Sequence, residues 1–353
     1  MNDASGGAPV CHPWPDPPAH GDAREVAPGV LWVRLPLPMA LDHVNAYALD
    51  DGAGWTLVDP GMDTPETHKI WQALLAGPLA AKPVTRVIAT HYHPDHIGMA
   101  GWFQARGAAL WTTRTSWLFA RMLALDEQPV PVAETLAFWH AAGMEPGLLA
   151  RCARERPFNF CDTVHPLPLG YRRIVGGEVI AAGGRRWRVR IGDGHAPEHA
   201  TLWSEDDDLV IGGDQLLPAI SANLGVYATE PDADPVGDWL ASCTLLGSFA
   251  EDRHLVLPGH RLPYSGLPRR LRQMAEGHRK SLARLAALLA APHTACACFP
   301  TLYRREIDEG LYGLALVETV AHLNHLLATS RARRWRRDDG VWLWQATAPH
   351  TGA

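Results

Sequence analysis

The segment of residues 90–98 carries the side chains with the clearest chemical potential in this chain. Its sequence, THYHPDHIG, places three imidazoles and one carboxylate close together, directly after the apolar run VIA. Imidazole nitrogen and carboxylate oxygen are the ligands that borderline divalent ions such as zinc prefer. His91 and His93, two residues apart on an extended backbone, point to one side and can share an ion, whereas Asp95 and His96 turn toward a second. The pattern therefore predicts half of a two-metal site rather than a His-rich surface loop.

Three further polar residues follow predicted strands at positions where glycine lets the backbone present a side chain. They are His195 in GDGH, Asp214 in IGGD and His260 in LPGH. Any one of them alone could be an ordinary loop residue or helix cap. Three glycine-flanked strand ends in this order instead predict the remaining ligands of the same site.

The segments THYHPDH, GHAPEH, GGDQ and PGH together resemble the metallo-β-lactamase-fold hydrolase superfamily, from about residue 26 to residue 260. The resemblance implies one ion held by His91, His93 and His195, a second held by Asp95, His96 and His260, and Asp214 bridging both. It also implies that Asp59, in LVDPG, supports the site from behind, because a ligating imidazole usually donates its other N–H to a carboxylate. His199, beside Glu198, is a further candidate for such support.

Two sequence differences separate this chain from some relatives. The two-metal β-lactamases commonly carry a cysteine at the position of Asp214, so antibiotic hydrolysis is not favoured. The diiron flavoproteins of the fold carry HxE where this chain has HYH, which argues against reduction of oxygen or nitric oxide. The C-terminal region resembles instead the helical tail of lactamase-B-like hydrolases, a branch that includes some endoribonucleases.

The elements that must position these residues predict an α/β fold, an αββα sandwich. Strand-like segments joined by turn signals come first, and strands alternating with helices follow, which argues against an all-β barrel. The predicted domains are a disordered lead-in at 1–24, a catalytic domain at 25–265 and a small helical, winged-helix-like module at 266–353. A helical insertion at about 126–165 could overhang the site as a lid or simply pack on the core.

Composition limits the classes of partner. The chain has 353 residues, 47% hydrophobic and 20% charged, and its formal net charge of −6 provides no overall basic field for nucleic acid. The arginine-rich stretches at 185–190 and 331–337 are solvated strand faces or a polyanion site. The N-terminus does not resemble a signal peptide, no apolar run approaches a membrane span, and the cysteines lack metal-ligand spacing, which predicts a cytoplasmic protein without membrane partners.

The predicted chemistry is water activation. Two divalent ions about 3.5–4 Å apart can share a water and lower its pKa, giving a metal-bound hydroxide near neutral pH. Zinc suits five histidines and two aspartates best, with Mn²⁺ or Fe²⁺ as alternatives. In catalysis, Asp95 would orient the proton of the nucleophile, and Asp214 would partly neutralise the two ions. We therefore expect a dinuclear hydrolase acting on a small carbonyl substrate, such as a thioester, ester or lactone.

Other functions stay open from the sequence. A phosphodiesterase or endoribonuclease would use the arginines at 331–337 to grip a phosphate backbone. A metal-binding regulator with a degenerate site is disfavoured by the intact ligand set. Trp342 and Trp344 alternate on a terminal strand, where they either pack against the tail helices or form an exposed aromatic face that stacks on nucleic acid or makes a homodimer.

Overall fold

The computed structural model describes residues 7–347, and their contacts divide the chain into two compact units. The first unit comprises residues up to 127, 158–222 and 244–272. The second unit comprises 128–157, 223–243 and the residues from 273 onward. Most of the predicted helical insertion therefore belongs to the same unit as the C-terminal region.

The first unit contains a seven-stranded sheet whose strands lie in sequence order. The strands are β1 (Ala23–Ala27), β2 (Val30–Pro36), β3 (His43–Asp50), β4 (Trp55–Val58), β5 (Val84–Ile88), β6 (Ala109–Thr112) and β7 (Arg172–Arg173). Pairing is antiparallel from β1 to β4 and parallel from β4 to β7. Parallel neighbours need a crossover connection. The helices that follow β4, β5 and β6 in the chain are α1 (Pro65–Ala76), α2 (Pro94–Ile97), α3 (Ala100–Gln104) and α4 (Arg114–Leu125).

A second sheet of the first unit has five strands, in the order β12-β11-β10-β9-β8. Its strands are β8 (Val179–Ala182), β9 (Arg185–Gly192), β10 (His199–Ser204), β11 (Leu209–Gly213) and β12 (Leu255–Pro258). Only the pair β11 and β12 is parallel among these strands. The helix that lies between them in sequence is α7 (Pro235–Gly247).

The two sheets pack face to face through large apolar side chains. Trp32 of β2 and Tyr47 of β3 lie in one buried cluster with Trp187 of β9 and Leu202 of β10. On its opposite face the seven-stranded sheet packs against Trp71 of α1 and the residues around it. These layers of helix and sheet confirm the predicted α/β sandwich.

The N-terminal lead-in differs from the expectation of a disordered segment at 1–24. The backbones of Cys11 and Ser265 exchange two hydrogen bonds, of 3.3 and 2.9 Å. Strand β1 begins at Ala23, inside the segment expected to be disordered. Proline and glycine content indicates weak local structure, but it carries no information about pairing with residues far along the chain. Residues 1–6 lie outside the described part.

The second unit is built from helices followed by a two-stranded hairpin. Its elements are α5 (Ala133–Ala141), α6 (Pro146–Cys152), most of α8 (Leu267–Leu288), α9 (Phe299–Tyr303), α10 (Glu309–Ala328), β13 (Ala332–Arg336) and β14 (Trp342–Ala346). The winged-helix assignment of this region stays a prediction. Within residues 7–347, no helix combines the length and the apolar character needed to cross a membrane.

The tryptophans of the terminal strand are buried. Trp342 is 7% exposed and Trp344 is fully covered. The ring of Trp342 lies 5.9 Å from the ring of Phe138 in an edge-to-face arrangement. The interpretation of these two residues as an exposed aromatic face is therefore wrong, and their alternation reflects packing in the second unit.

Helix α10 carries a half-buried carboxylate, that of Glu318. It accepts hydrogen bonds from the Asn223 amide at 3.2 Å and from the Tyr303 hydroxyl at 3.4 Å. Burial raises the pKa of Glu318 from its ordinary 4.5 to about 7. The folded state thus holds this proton more tightly than the unfolded chain does. Glu318 imposes no cost below about pH 4.5, and stability is lost as pH rises from there through about 7.

We therefore expect Glu318→Gln to make the protein more stable at pH 8 than the wild type. The full shift corresponds to about 3 kcal/mol, and solvent screening of the half-buried carboxylate reduces the expected gain to roughly 1–2 kcal/mol. Glutamine stays neutral at every pH and can still accept the two hydrogen bonds. At pH 5 the two proteins should unfold at nearly the same temperature. Melting temperatures across this pH range measure the difference. Glu276→Gln, at an exposed position, is the control. If both variants changed the pH dependence of the melting temperature equally, the raised pKa of Glu318 would not be its cause.

Candidate metal centre

All seven predicted ligands lie in the first unit, just beyond the ends of strands. His91 and His93 follow β5, and Asp95 and His96 lie on the short helix α2. His195 follows β9, Asp214 comes directly after β11, and His260 comes two residues after β12. The site is thus built at the carboxyl ends of strands from both sheets, β5 of the seven-stranded sheet and β9, β11 and β12 of the five-stranded sheet.

The structure brings the seven side chains together. They form three overlapping groups in which the potential ligand atoms lie within 4.8 Å of one another. The groups are His91, His93 and His195; His91, His96 and Asp214; and Asp95, His96 and His260.

Asp214 lies where these groups meet. Its Oδ2 is 3.4 Å from His195 Nε2 and 3.2 Å from His260 Nε2. Its Oδ1 is 3.4 Å from His96 Nε2. The side chain is 8% exposed, so it is well shielded from solvent. The carboxylate therefore touches residues of both ligand triads named from the sequence.

Three potential ligand atoms at the centre are buried without a hydrogen-bond partner among the described residues. They are Nε2 of His91, Nε2 of His96 and Oδ1 of Asp214. An unsatisfied buried polar atom costs about 1–3 kcal/mol. A cation bound among these lone pairs would satisfy all three, and imidazole and carboxylate are suitable ligands for a divalent ion. The residues present thus fit the metal that the motif implies.

The protonation state of His91 and His93 already suits metal binding. Burial lowers the pKa of His93 to about 3 and that of His91 well below its ordinary value. Both imidazoles are therefore neutral at pH 7, which is the form that binds metal. His93 Nδ1 and His195 Nε2 face each other at 3.0 Å.

The part of the centre around Asp95, His96 and His260 combines carboxylates with imidazolium. Burial alone would lower the pKa of His260, but Asp214 and Asp95 raise it to about 10. Burial alone would raise the pKa of Asp95, but His96 and His260 lower it to about 2. Positive charge is thus strongly favoured between these carboxylates, and a metal ion would take the place of the imidazole protons.

Asp59 lies directly behind the centre, as the motif implies. Its Oδ1 accepts the Thr90 N–H at 2.8 Å, and its Oδ2 accepts the Thr90 hydroxyl at 2.8 Å. Its Oδ2 also lies 2.8 Å from His96 Nδ1. With Nδ1 of His96 held by Asp59, Nε2 is the ring atom that faces Asp95 and Asp214 and is left for the metal.

Two more histidines support the centre. The ring of His199 stacks on His91 with centroids 4.5 Å apart, and its Nε2 accepts the backbone N–H of Asp214 at 3.1 Å. The backbone carbonyl of His43 accepts Nδ1–H of His260 at 2.7 Å. Sequence reasoning did not identify His43, because no motif marks it. His199 had a signal, since it belongs to the GHAPEH segment.

Comparisons with known proteins identify the family of the chain. Residues 39–291 match the family model of the metallo-beta-lactamase superfamily, and residues 282–347 match that of the metallo-beta-lactamase-like C-terminal domain. The chain is 26% identical over 308 residues to the probable metallo-hydrolase YqjP of Bacillus subtilis (strain 168), covering 85% of this chain and 92% of the relative.

Two solved structures extend this similarity to nearly the whole chain. One is a beta-lactamase domain protein from Burkholderia ambifaria, 36% identical with a TM-score of 0.87, covering 96% of this chain and 98% of the other. The second is a metallo-beta-lactamase family protein from Thermus thermophilus, 25% identical with a TM-score of 0.77, covering 92% of this chain and 100% of the other. The chain is therefore a metallo-hydrolase of the metallo-beta-lactamase superfamily.

Proposed function

We propose that this protein is a dinuclear metal-dependent hydrolase of small carbonyl compounds, such as thioesters, esters or lactones. The observation that carries the proposal is the position of Asp214. Its carboxylate lies 3.2–3.4 Å from His195, His96 and His260, which belong to two different ligand triads. A carboxylate placed in this way suits a bridge between two ions rather than a ligand of one.

The proposed ligands of the first ion are His91, His93 and His195, and those of the second are Asp95, His96 and His260. Zinc is the proposed metal, because the set offers five imidazoles and two carboxylates; Mn²⁺ and Fe²⁺ are the alternatives. Bound there, the ions would supply Lewis acidity and a water of lowered pKa. Neither serine nor cysteine is needed as a nucleophile.

The aspartates contribute in different ways. The Asp95 side chain is 17% exposed and that of Asp214 is 8% exposed. Asp95 is therefore the carboxylate that a nucleophile or substrate reaches more easily, and it can orient and accept a proton. The more deeply buried Asp214 supplies a fixed negative charge that offsets part of the charge of two dications.

A small neutral substrate is favoured over a polyanion because several arginines of the arginine-rich stretches are already paired with acids. In the second unit Arg334 contacts Asp232 at 2.7 Å, and Arg337 contacts Asp339 at 2.6 Å. In the first unit Arg185 contacts Asp207 at 2.7 Å, and Arg186 contacts Asp206 at 2.8 Å. Such surface pairs contribute little to stability. Each nevertheless places a carboxylate where a phosphate would have to bind.

A hydrolysis screen of purified, metal-assayed protein tests the proposal. The substrates are thioesters, lactones, bis-p-nitrophenyl phosphate and single-stranded RNA. We expect turnover of a carbonyl substrate and no RNA cleavage. RNA cleavage without carbonyl turnover, together with RNA affinity that falls steeply with salt, would support the phosphodiesterase alternative instead.

A further inference from the structure

We propose that Asn45, a residue of β3, is a positioning residue that holds His260 in place for metal binding. The inference rests on the proposed dinuclear centre. Asn45 is fully buried, and it lies more than 200 residues from His260 in sequence, within the same unit. Its side chain hydrogen-bonds to Trp32, Pro258 and Arg261 rather than to a proposed ligand. It holds Pro258 and Arg261, which lie on either side of His260 in the chain.

The orientation of the Asn45 amide follows from its neighbours. The indole N–H of Trp32 donates to Asn45 Oδ1 at 2.9 Å. An indole nitrogen can only donate, so the amide oxygen must face Trp32 and the amide nitrogen must face the opposite way. That nitrogen donates to the carbonyl of Pro258 at 2.9 Å and to the carbonyl of Arg261 at 2.7 Å. Both of its hydrogens are therefore used on the loop that carries His260.

The backbone of Asn45 holds the same loop. Its N–H donates to the carbonyl of Gly259 at 2.7 Å. The hydroxyl of Tyr47, two residues further along β3, donates to the carbonyl of Pro258 at 2.8 Å. The space around the loop is small, because a Cβ atom on Gly259 would lie 2.3 Å from Asp214 Oδ1. Any shift of this loop would therefore change the position of His260 relative to Asp214.

His43, at the start of β3, completes the arrangement. Its carbonyl accepts Nδ1–H of His260 at 2.7 Å, and its Nε2 accepts the backbone N–H of Arg261 at 2.9 Å. Arg261 has a φ of 69°, a left-handed conformation that is uncommon outside glycine and needs support from its surroundings. With Nδ1 donating to this carbonyl, Nε2 is the ring atom of His260 that faces Asp95 and Asp214 and is left for the metal.

The test is Asn45→Asp, measured by titration of the metal-free protein with Zn²⁺ against a chromophoric chelator. Aspartate keeps the shape of asparagine and can still accept from Trp32, but it has no hydrogens to donate to Pro258 and Arg261. The step of Zn²⁺ binding that His260→Ala removes should weaken about 10–100-fold in Asn45→Asp. The other step, assigned to His91, His93 and His195, should keep its affinity.

The matched control is Asn324→Asp in the second unit. The Asn324 amide also donates to two loop carbonyls, of Pro231 at 3.0 Å and Ala233 at 2.9 Å, so its replacement should reduce stability and leave both zinc steps intact. If Asn45→Asp does not fold, Asn45→Ser decides, since serine adds no charge and cannot span both carbonyls.

The outcomes separate the two proposals. A loss of Zn²⁺ affinity that is confined to the step that depends on His260 supports the positioning role of Asn45. The positioning role is overturned if a folded Asn45 variant binds Zn²⁺ in both steps as tightly as the Asn324→Asp control does. A wild-type protein that takes up fewer than two zinc ions overturns the dinuclear function itself.

Discussion

Asp214→Ala is expected to lower kcat/KM for any substrate of this protein by on the order of 10³-fold, or about 4 kcal/mol. The substitution removes the carboxylate that lies within 3.4 Å of His195, His96 and His260. It also removes negative charge from a buried cluster of imidazoles, so two cations would be held less tightly. Steady-state kinetics and metal content per chain, measured on the same preparation, test both effects.

Asp234→Asn is the matched control for this loss. Asp234, in the second unit, also faces a histidine, with His325 Nδ1 3.0 Å from its carboxylate, and it accepts the backbone N–H of Gly237 at 2.9 Å. Its replacement should cost stability and leave metal content and turnover unchanged. Full metal content and near wild-type turnover in Asp214→Ala would show that the reaction occurs elsewhere.

The clustering of the seven candidate ligands was predictable because they lie in four motifs, each of which follows a strand. The short helix α2 begins directly after His93 and carries Asp95 and His96. The ring of His96 nevertheless lies 4.2 Å from that of His91, so this pair does not turn away from the preceding one as the spacing predicts. Asp59 was predictable by resemblance, and His199 partly so. The structure adds the meeting of both triads at Asp214, which depends on how two sheets pack and is therefore a tertiary property.

Contacts between distant segments were not predictable. Asn45 and His43 use their side chains to hold a loop 213 or more residues away, by hydrogen bonds to carbonyl and N–H groups that every residue carries. The pairing of Cys11 with Ser265 has the same character. Local patterns in one sequence report period, caps and turns, and they contain no record of which backbone groups meet across the fold. Burial of Trp342 and Trp344 could not be decided for the same reason, since alternation fits a covered face and an exposed one equally well.

Asp59→Asn is expected to weaken metal binding about 10–100-fold, although it changes one atom of a residue that is not a proposed ligand. Asp59 Oδ2 lies 2.8 Å from His96 Nδ1, and its Oδ1 accepts the N–H of Thr90 at 2.8 Å. Asparagine must keep its oxygen toward the Thr90 N–H, so its NH₂ group faces His96. His96 then has to accept at Nδ1, its proton moves to Nε2, and the atom that should bind metal becomes a donor.

Backbone strain does not confound this variant. Asp59 has a φ of 55°, and asparagine tolerates this left-handed conformation as well as aspartate does. Asp63→Asn is the control, because Asp63 also faces a histidine in the first unit, with His68 Nε2 at 2.5 Å. Zinc titration should show weaker binding in the Asp59 variant alone, specifically in the step that depends on His96. Equal affinities in the two variants would mean that Asp59 supports the fold and does not set the tautomer of His96.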